Sequence, residues 1–223
     1  MRLHILCEGQ TEDRFIKEVL APYLLGVNIY AKSTILKTKR TANKTYKGGV
    51  STYSKIKSEL EILCKGDPTA FVTTMFDYYK LPSDTPGKGT AGDIYKVAQE
   101  IETAIKDNLG GLRNLLVNLT LHEFEGLLFS DVSAFLGVAK ADNNIVMELG
   151  RIKSGFTSPE HINDSETTAP SKRIAKILPE YSKTLNGIEI TKNIGVGKIA
   201  EECQHFKTWL ENIKALTRGA HDE

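Results

Sequence analysis

The chain has 223 residues, and its 29 Lys and Arg against 28 Asp and Glu leave a formal net charge of +1. Hydrophobic residues at 40% and charged residues at 26% are the proportions of an ordinary globular protein, which excludes extended disorder and collagen-like or low-complexity sequence. No apolar run approaches the roughly 20 residues of a membrane span, and the apolar start at Met1–Leu6 is too short for a signal peptide.

Leu3 to Cys7 reads as a buried strand that ends at Glu8-Gly9. From Glu12 to Leu24, the residues Phe15, Ile16, Val19, Leu20, Tyr23 and Leu24 recur at helical spacing. Ile29 to Leu36 alternates and carries β-branched residues, so a second strand is predicted there. Thr38 to Val50 is polar and basic and ends in Gly48-Gly49, which predicts a loop. Tyr53, Ile56, Leu60 and Leu63 mark the next helix. Ala70 to Phe76, bounded by Asp67-Pro68 and Asp77, suits a central strand buried on both faces.

Leu81 to Gly92 holds Pro82, Pro86, Gly87 and Gly89 and leaves no room for a regular element. Asp93 can cap a helix striped by Ile94, Val97, Ile101, Ile105 and Leu109. Leu115 to Leu121 is a fourth strand after Gly110-Gly111, and Glu123 to Leu128 turns helical. Such alternation implies an α/β fold with a mainly parallel sheet between helices. After Phe135 strands are hard to find. Ser158-Pro159 and Pro170-Ser171 are helix starts, and Phe206, Trp209, Leu210, Ile213 and Leu216 mark a last helix. The expected organisation is an α/β core over 1–137 with a helical elaboration over 138–223 packed on it, within one domain.

In an open parallel sheet, ligands gather beyond the carboxyl ends of the strands. That edge should bring together Glu8, Asp77, His122, Glu123 and Glu125, with Glu12 in the first turn of the helix after Glu8. Two carboxylates about 4 Å apart repel by roughly 4 kcal/mol at an effective dielectric near 20. Several of them together need a cation or a shared proton. Oxygen-only ligands favour Mg²⁺ or Mn²⁺, ions that bind phosphates and activate water, so phosphodiester chemistry follows. The ordinary roles stand beside these. Glu12 can simply complement a helix dipole, Asp77 can close an Asx turn, and His122 can satisfy a buried hydrogen bond. If the segment is helical, Glu123 and Glu125 point to different sides, and one of the two faces the site. Tyr78 and Tyr79 can stack on bases or pack at a rim, and Gly9 permits a close backbone approach or a positive φ.

Charge distribution adds a second theme. From Val19 to Ser58 there is no Asp or Glu, while the same stretch holds Lys32, Lys37, Lys39, Arg40, Lys44, Lys47, Lys55 and Lys57. A one-signed segment can attract a polyanion in a neutral protein, although solvated lysines are the default. Ser171-Lys172-Arg173 opens a helix, where amides and two cations can hold a phosphate. The candidate nucleic-acid contacts are Lys37, Lys39, Arg40, Lys44, Lys172 and Arg173. No Gly-x4-Gly-Lys-Ser/Thr pattern is present, so ATP binding by a P-loop is not expected. The three scattered cysteines, Cys7, Cys64 and Cys203, argue against a disulfide framework and for a reducing cytoplasm, with Cys203 in the core.

Ile5-Leu-Cys-Glu-Gly-Gln-Thr-Glu, Thr73-Thr-Met-Phe-Asp-Tyr-Tyr-Lys-Leu-Pro, Leu121-His-Glu-Phe-Glu-Gly-Leu-Leu-Phe-Ser, Ile162-Asn-Asp-Ser with the later Ala-Pro-Ser-Lys-Arg, and Cys203-Gln-His-Phe-Lys-Thr-Trp-Leu follow one another in order. Together they resemble the domain-of-unknown-function family 4276. That family is similar to the Toprim fold of topoisomerases, primases and the nuclease half of overcoming-lysogenization-defect (OLD) proteins. The resemblance implies a Toprim-like core over 1–137. The Toprim pattern sets a Glu after the first strand and an Asp-x-Asp after a later one, together holding Mg²⁺ against a phosphate. Glu8 matches the first element, and Asp77 the first Asp. Tyr79 stands where the second Asp is expected, and Glu123 or Glu125 is the candidate replacement.

The resemblance thus implies a Mg²⁺- or Mn²⁺-dependent nuclease working beside an ATPase, in the manner of an anti-phage defence module. Glu8, Asp77 and Glu123 or Glu125 would act with the metal, Glu12 would assist, and His122 would orient or protonate a leaving oxygen. Expected partners are a nucleic-acid backbone read with little sequence preference, and an ATPase. No membrane is expected, and a homodimer is left open. The rival readings are a non-catalytic sensor subunit of an ATPase complex and another phosphoryl-transfer activity on a small nucleotide.

Overall fold

The computed structural model of the chain describes residues 1–36, 52–163 and 168–217. Lys37, Lys39, Arg40 and Lys44 lie outside the described residues, as does the expected loop Thr38 to Val50.

Five strands build one parallel sheet. Strand β1 (Arg2–Cys7) pairs with β2 (Tyr30–Ile35) on one side and β3 (Phe71–Asp77) on the other. Beyond β3 come the short strands β4 (Leu115–Leu116) and β5 (Leu119–Thr120), both parallel to it. The order is β2-β1-β3-β4, with β5 also on β3. The predicted fourth strand is therefore interrupted. At the break, Thr74 Oγ1 accepts from Asn118 N at 2.8 Å and donates to Asn118 O at 2.6 Å. A side chain of β3 thus takes over ladder bonds that the backbone of the broken strand would otherwise make.

The connections are helical. Helix α1 (Gln10–Phe15) runs through a π-helical stretch, Ile16–Leu20, into α2 (Ala21–Leu25). Helix α3 (Tyr53–Gly66) joins β2 to β3, and α4 (Ile94–Asn108) joins β3 to β4. The Asp93 side chain caps α4 by accepting from Tyr95 N and Lys96 N, as the sequence predicts. After β5 come the 3₁₀ turns Phe124–Ser130, Val132–Phe135 and Val138–Lys140, then α5 (Asn143–Ser154) and a further turn at Pro159–His161. Helices α6 (Pro170–Ile177), α7 (Asn186–Ile194), α8 (Val196–Glu202) and α9 (Gln204–Ala215) complete the described chain.

Strand alternation divides the core between the two faces of the sheet. Leu6, Val72 and Phe76 pack with Ile56 and Leu60 of α3 and Ile101 and Ile105 of α4. Leu3, Ile5, Cys7 and Met75 point the other way and join Phe15, Phe129, Ile190, Trp209 and Ile213. The helices after residue 138 thus complete the core on this second face. Asp77 has the parity of Met75, which turns it toward the face that carries α1. Among the described residues, no helix is long and apolar enough to cross a membrane.

Candidate active site at the carboxyl edge of the sheet

Strands β1 and β3 are parallel neighbours in register, with Cys7 opposite Met75, so Glu8 and Asp77 emerge at the same edge. Glu8 lies between β1 and α1, and its side chain is largely buried. Glu12 lies in the first turn of α1 and is buried. Gly9 has an ordinary extended φ of −145°, so positive φ is not its purpose. A Cβ there would sit 3.1 Å from Glu12 Oε2, so the missing side chain gives the Glu12 carboxylate its place beside the backbone.

Asp77 is 2% exposed, and its Oδ1 is buried with no hydrogen-bond partner among the described residues. Its Oδ2 accepts from Lys80 Nζ at 2.5 Å, and the same ammonium lies 3.9 Å from Glu8 Oε1. Burial raises the Asp77 carboxyl above its ordinary pKa, with Lys80 opposing and Glu12 and Glu8 adding to the rise. Burial also raises Glu8, again against Lys80. On Lys80 itself burial works to lower the pKa, but Asp77 and Glu8 outweigh it and the ammonium is held firmly charged. One cation is thus set among three carboxylates.

A second cation serves the other acidic pair. Glu125 is 1% exposed, and Lys183 Nζ lies 2.7 Å from its Oε1. Burial raises the Glu125 carboxyl, and Lys183 partly offsets this. Lys183 also acts on Glu8, so the two clusters lie within electrostatic reach of each other. Glu123 has a different task. Its Oε2 accepts from Ser171 N at 3.1 Å, at the start of α6. That carboxylate fills the helix N-terminus at which the sequence predicts a phosphate beside Lys172 and Arg173. The sequence does not divide Glu123 from Glu125, and the structure gives them separate partners.

His122 adopts φ 63°, a left-handed conformation that non-glycine residues seldom take and that recurs at functional sites. Its ring lies against Tyr79 with centroids 5.4 Å apart. Tyr79 is half exposed at the rim, while Tyr78 lies under the Lys88 ammonium, 4.1 Å from its ring centre. Neither Lys80 nor Lys183 is among the site residues expected from sequence. Lys80 follows Asp77 by three residues and is findable as a local partner. Lys183 comes from the loop before α7, and nothing local links it to Glu125.

The matched family model, a domain of unknown function, covers residues 7–214. The chain belongs to the DUF4276 family. No curated protein and no solved structure matches it. The match begins at the end of β1 and runs into α9, so in this DUF4276 chain it includes every carboxylate described above and both lysines between them.

Among the described residues, no group of three or more His, Cys, Asp or Glu side chains is drawn close enough to hold a metal ion. Lys80 occupies the middle of the cluster, and its ammonium supplies the positive charge that the carboxylates require. The donor chemistry nevertheless suits a hard divalent cation. Glu8, Glu12 and Asp77 offer oxygen alone, and Asp77 Oδ1 is buried with nothing bonded to it among the described residues.

Proposed function

We propose that this DUF4276 protein is a Toprim-like, Mg²⁺- or Mn²⁺-dependent nuclease acting on nucleic-acid phosphodiesters. One observation carries the reading: the buried Asp77 Oδ1, without a hydrogen-bond partner among the described residues, shares the carboxyl edge of the sheet with Glu8 and Glu12. Glu8 and Asp77 would hold the ion, with Glu12 beside them. When bound, such an ion lowers the pKa of a water and neutralises charge on a phosphoryl oxygen. The chain's own residues supply the rest. Lys80 balances the carboxylates and donates hydrogen bonds to a phosphate oxygen. Tyr79, backed by His122, offers a ring face to an unstacked base. Glu125 and Lys183 keep the neighbouring wall charged and fixed.

The partner is an ATPase, since the chain resembles families that work beside one and has no P-loop pattern of its own. The compartment is the cytoplasm, which suits three free, buried cysteines. A defence role rests on the same resemblance.

Calorimetry with Mn²⁺ and Mg²⁺, beside cleavage of plasmid and single-stranded DNA and RNA, tests the reading. Wild type should bind metal and cleave, and Glu8→Ala/Asp77→Ala should do neither. Failure of wild type to bind metal at millimolar concentration would remove the nuclease reading. Lys80 favours a second one. A lysine seated among the carboxylates is a built-in counter-ion, as expected of a non-catalytic subunit that docks an ATPase. In that case Glu8→Ala/Asp77→Ala would leave partner binding and biological effect intact.

A further inference from the structure

Away from the carboxylates, helices α5 and α6 enclose a cleft of about 520 Å³. That volume falls within the roughly 300–1,000 Å³ of small-molecule sites. Among the described residues, its lining carries Arg151 from α5 and Lys172, Arg173 and Lys176 from α6, with Glu148 as the one carboxylate. Elsewhere the protein pairs many of its cations: Lys17, Lys65, Lys140, Lys192 and Lys198 all meet a carboxylate. Arg151, Lys172 and Lys176 have no ion-pair partner among the described residues, although all three are exposed around one cavity. Uncompensated like charges repel across such a cleft, and an anion relieves that repulsion.

Three features shape what the anion is. Lys172 and Lys176 are four residues apart on α6, so their side chains stand on one face about 5–6 Å apart at Cβ and can grip two adjacent phosphates. Arg173 is already oriented. Its Nε donates to Thr168 O at 2.6 Å, and its guanidinium lies over the Phe156 ring at 5.4 Å, which lowers the entropy lost on binding. Ile152 and Ile177 add apolar surface to the lining, against which the organic part of a ligand can rest. The α6 N-terminus is closed by Glu123, so the cleft binds through side chains along the helix.

We propose that the α5–α6 cleft is a binding site for a small organic polyphosphate of nucleoside-diphosphate size. The site is separate from the carboxylate cluster and does not depend on the nuclease reading.

The test is calorimetry at low salt with ADP and inorganic pyrophosphate as probes. ADP should bind wild type in the micromolar range and more tightly than pyrophosphate. Lys172→Ala/Lys176→Ala should weaken ADP by about tenfold or more, Arg151→Ala by less, and Glu8→Gln should leave it unchanged. These lysine and arginine substitutions are on exposed helix faces, and thermal unfolding checks that each variant is folded. If the Ala pair is not folded, Lys172→Gln/Lys176→Gln replaces it with the same expectation. Three outcomes overturn the proposal: no ADP binding up to about 1 mM, ADP binding that survives loss of both lysines, and pyrophosphate binding as tightly as ADP. If a short oligothymidylate, and not ADP, binds in a way that depends on these lysines, the cleft is a nucleic-acid interface instead.

Discussion

Lys80 Nζ lies 2.5 Å from Asp77 Oδ2, so a strand-end carboxylate is neutralised from three residues further along its own chain. The ammonium is partly exposed, while Asp77 is wholly buried among Glu8 and Glu12. Truncating Lys80 removes the charge that opposes the upward shift of Asp77, so the buried carboxyl takes up a proton and is left without its partner, and such an unsatisfied buried group costs about 1–3 kcal/mol. Lys80→Met should therefore lower the melting temperature. If the cluster takes a divalent cation, the same variant should recover stability on adding Mg²⁺, by about 1.4 kcal/mol at tenfold over its dissociation constant. Thermal unfolding of wild type and variant across a Mg²⁺ series measures this. A variant that stays destabilised at every Mg²⁺ concentration argues that Lys80 is the permanent cation.

Glu8 is raised by burial, and a carboxylate so shifted works against folding at neutral pH. Its folded pKa lies above the unfolded value, so its charge costs stability as pH rises through the acid range. Glu8→Gln keeps the shape and removes the charge. It should raise stability at pH 7 by about 1 kcal/mol, or roughly 2–4 °C at this chain length. It should also abolish metal-dependent cleavage. Stability gained with activity lost is the behaviour of a functional carboxylate held in an unfavourable place. Chemical denaturation at pH 5 and pH 7 should show the gain growing with pH, and a loss of stability at pH 7 would show that Glu8 is a structural ion-pair partner of Lys80.

The α/β order is legible in the sequence because β1, β3 and α4 are regular, long enough to show their period and buried where the pattern places them. The fourth strand reads as continuous, since nothing in its apolar run announces that Thr74 will bond Asn118. The segment after Glu123 reads as helical and is a 3₁₀ run, its seven residues all buried, so periodicity has no exposed face to report. The stretch after α1 reads as helical from its spacing, but its π-helical form does not show there, and the helices α7 and α8 are too short to mark their bounds in the pattern. The acidic edge follows from strand direction alone. Lys183 does not, because lysine is ordinarily a surface residue and nothing local ties it to Glu125, whereas Lys80 is within local reach of Asp77. Glu123 misleads in part, since a carboxylate that caps a distant helix looks like a ligand until α6 is folded beside it.

A hydrogen-bonded clasp built on His205 fastens α9 to the rest of the fold. His205 Nε2 lies 2.8 Å from Glu102 Oε1, Glu102 also accepts from Leu119 N, and Glu160 accepts from His205 N and Phe206 N. Burial works to lower the His205 pKa, but the Glu102 hydrogen bond and charge, with Glu160 behind them, raise it overall. A histidine raised on folding contributes stability that is complete below its unfolded pKa near 6.5 and is lost as pH rises through the folded value. Wild type should therefore lose this increment, on the order of 1 kcal/mol, above neutral pH. His205→Gln should lack it. His4 slopes the opposite way because burial lowers its pKa, so the informative quantity is the difference between wild type and His205→Gln from about pH 5.5 to 8.5, either side of the histidine range. A difference that does not change with pH would mean that His205 stays neutral.

Trp209 joins the last helix to the central strand by a single polar contact in an apolar layer. Its Nε1 donates to Thr73 Oγ1 at 2.9 Å, and both residues are buried. Trp209→Phe removes the donor and some ring volume, so it leaves a small cavity and reduces the hydrogen bonding of Thr73. The expected cost is about 2–3 kcal/mol. Thr73→Val in that background exchanges the hydroxyl for a methyl of similar shape and should restore part of the loss. In the wild-type background the same change removes the acceptor and should destabilise. A double-mutant cycle read by urea unfolding isolates the coupling, expected at about 1 kcal/mol. Coupling near zero would assign the burial of Trp209 to packing alone, with the position of α9 fixed by Phe206, Leu210 and Ile213.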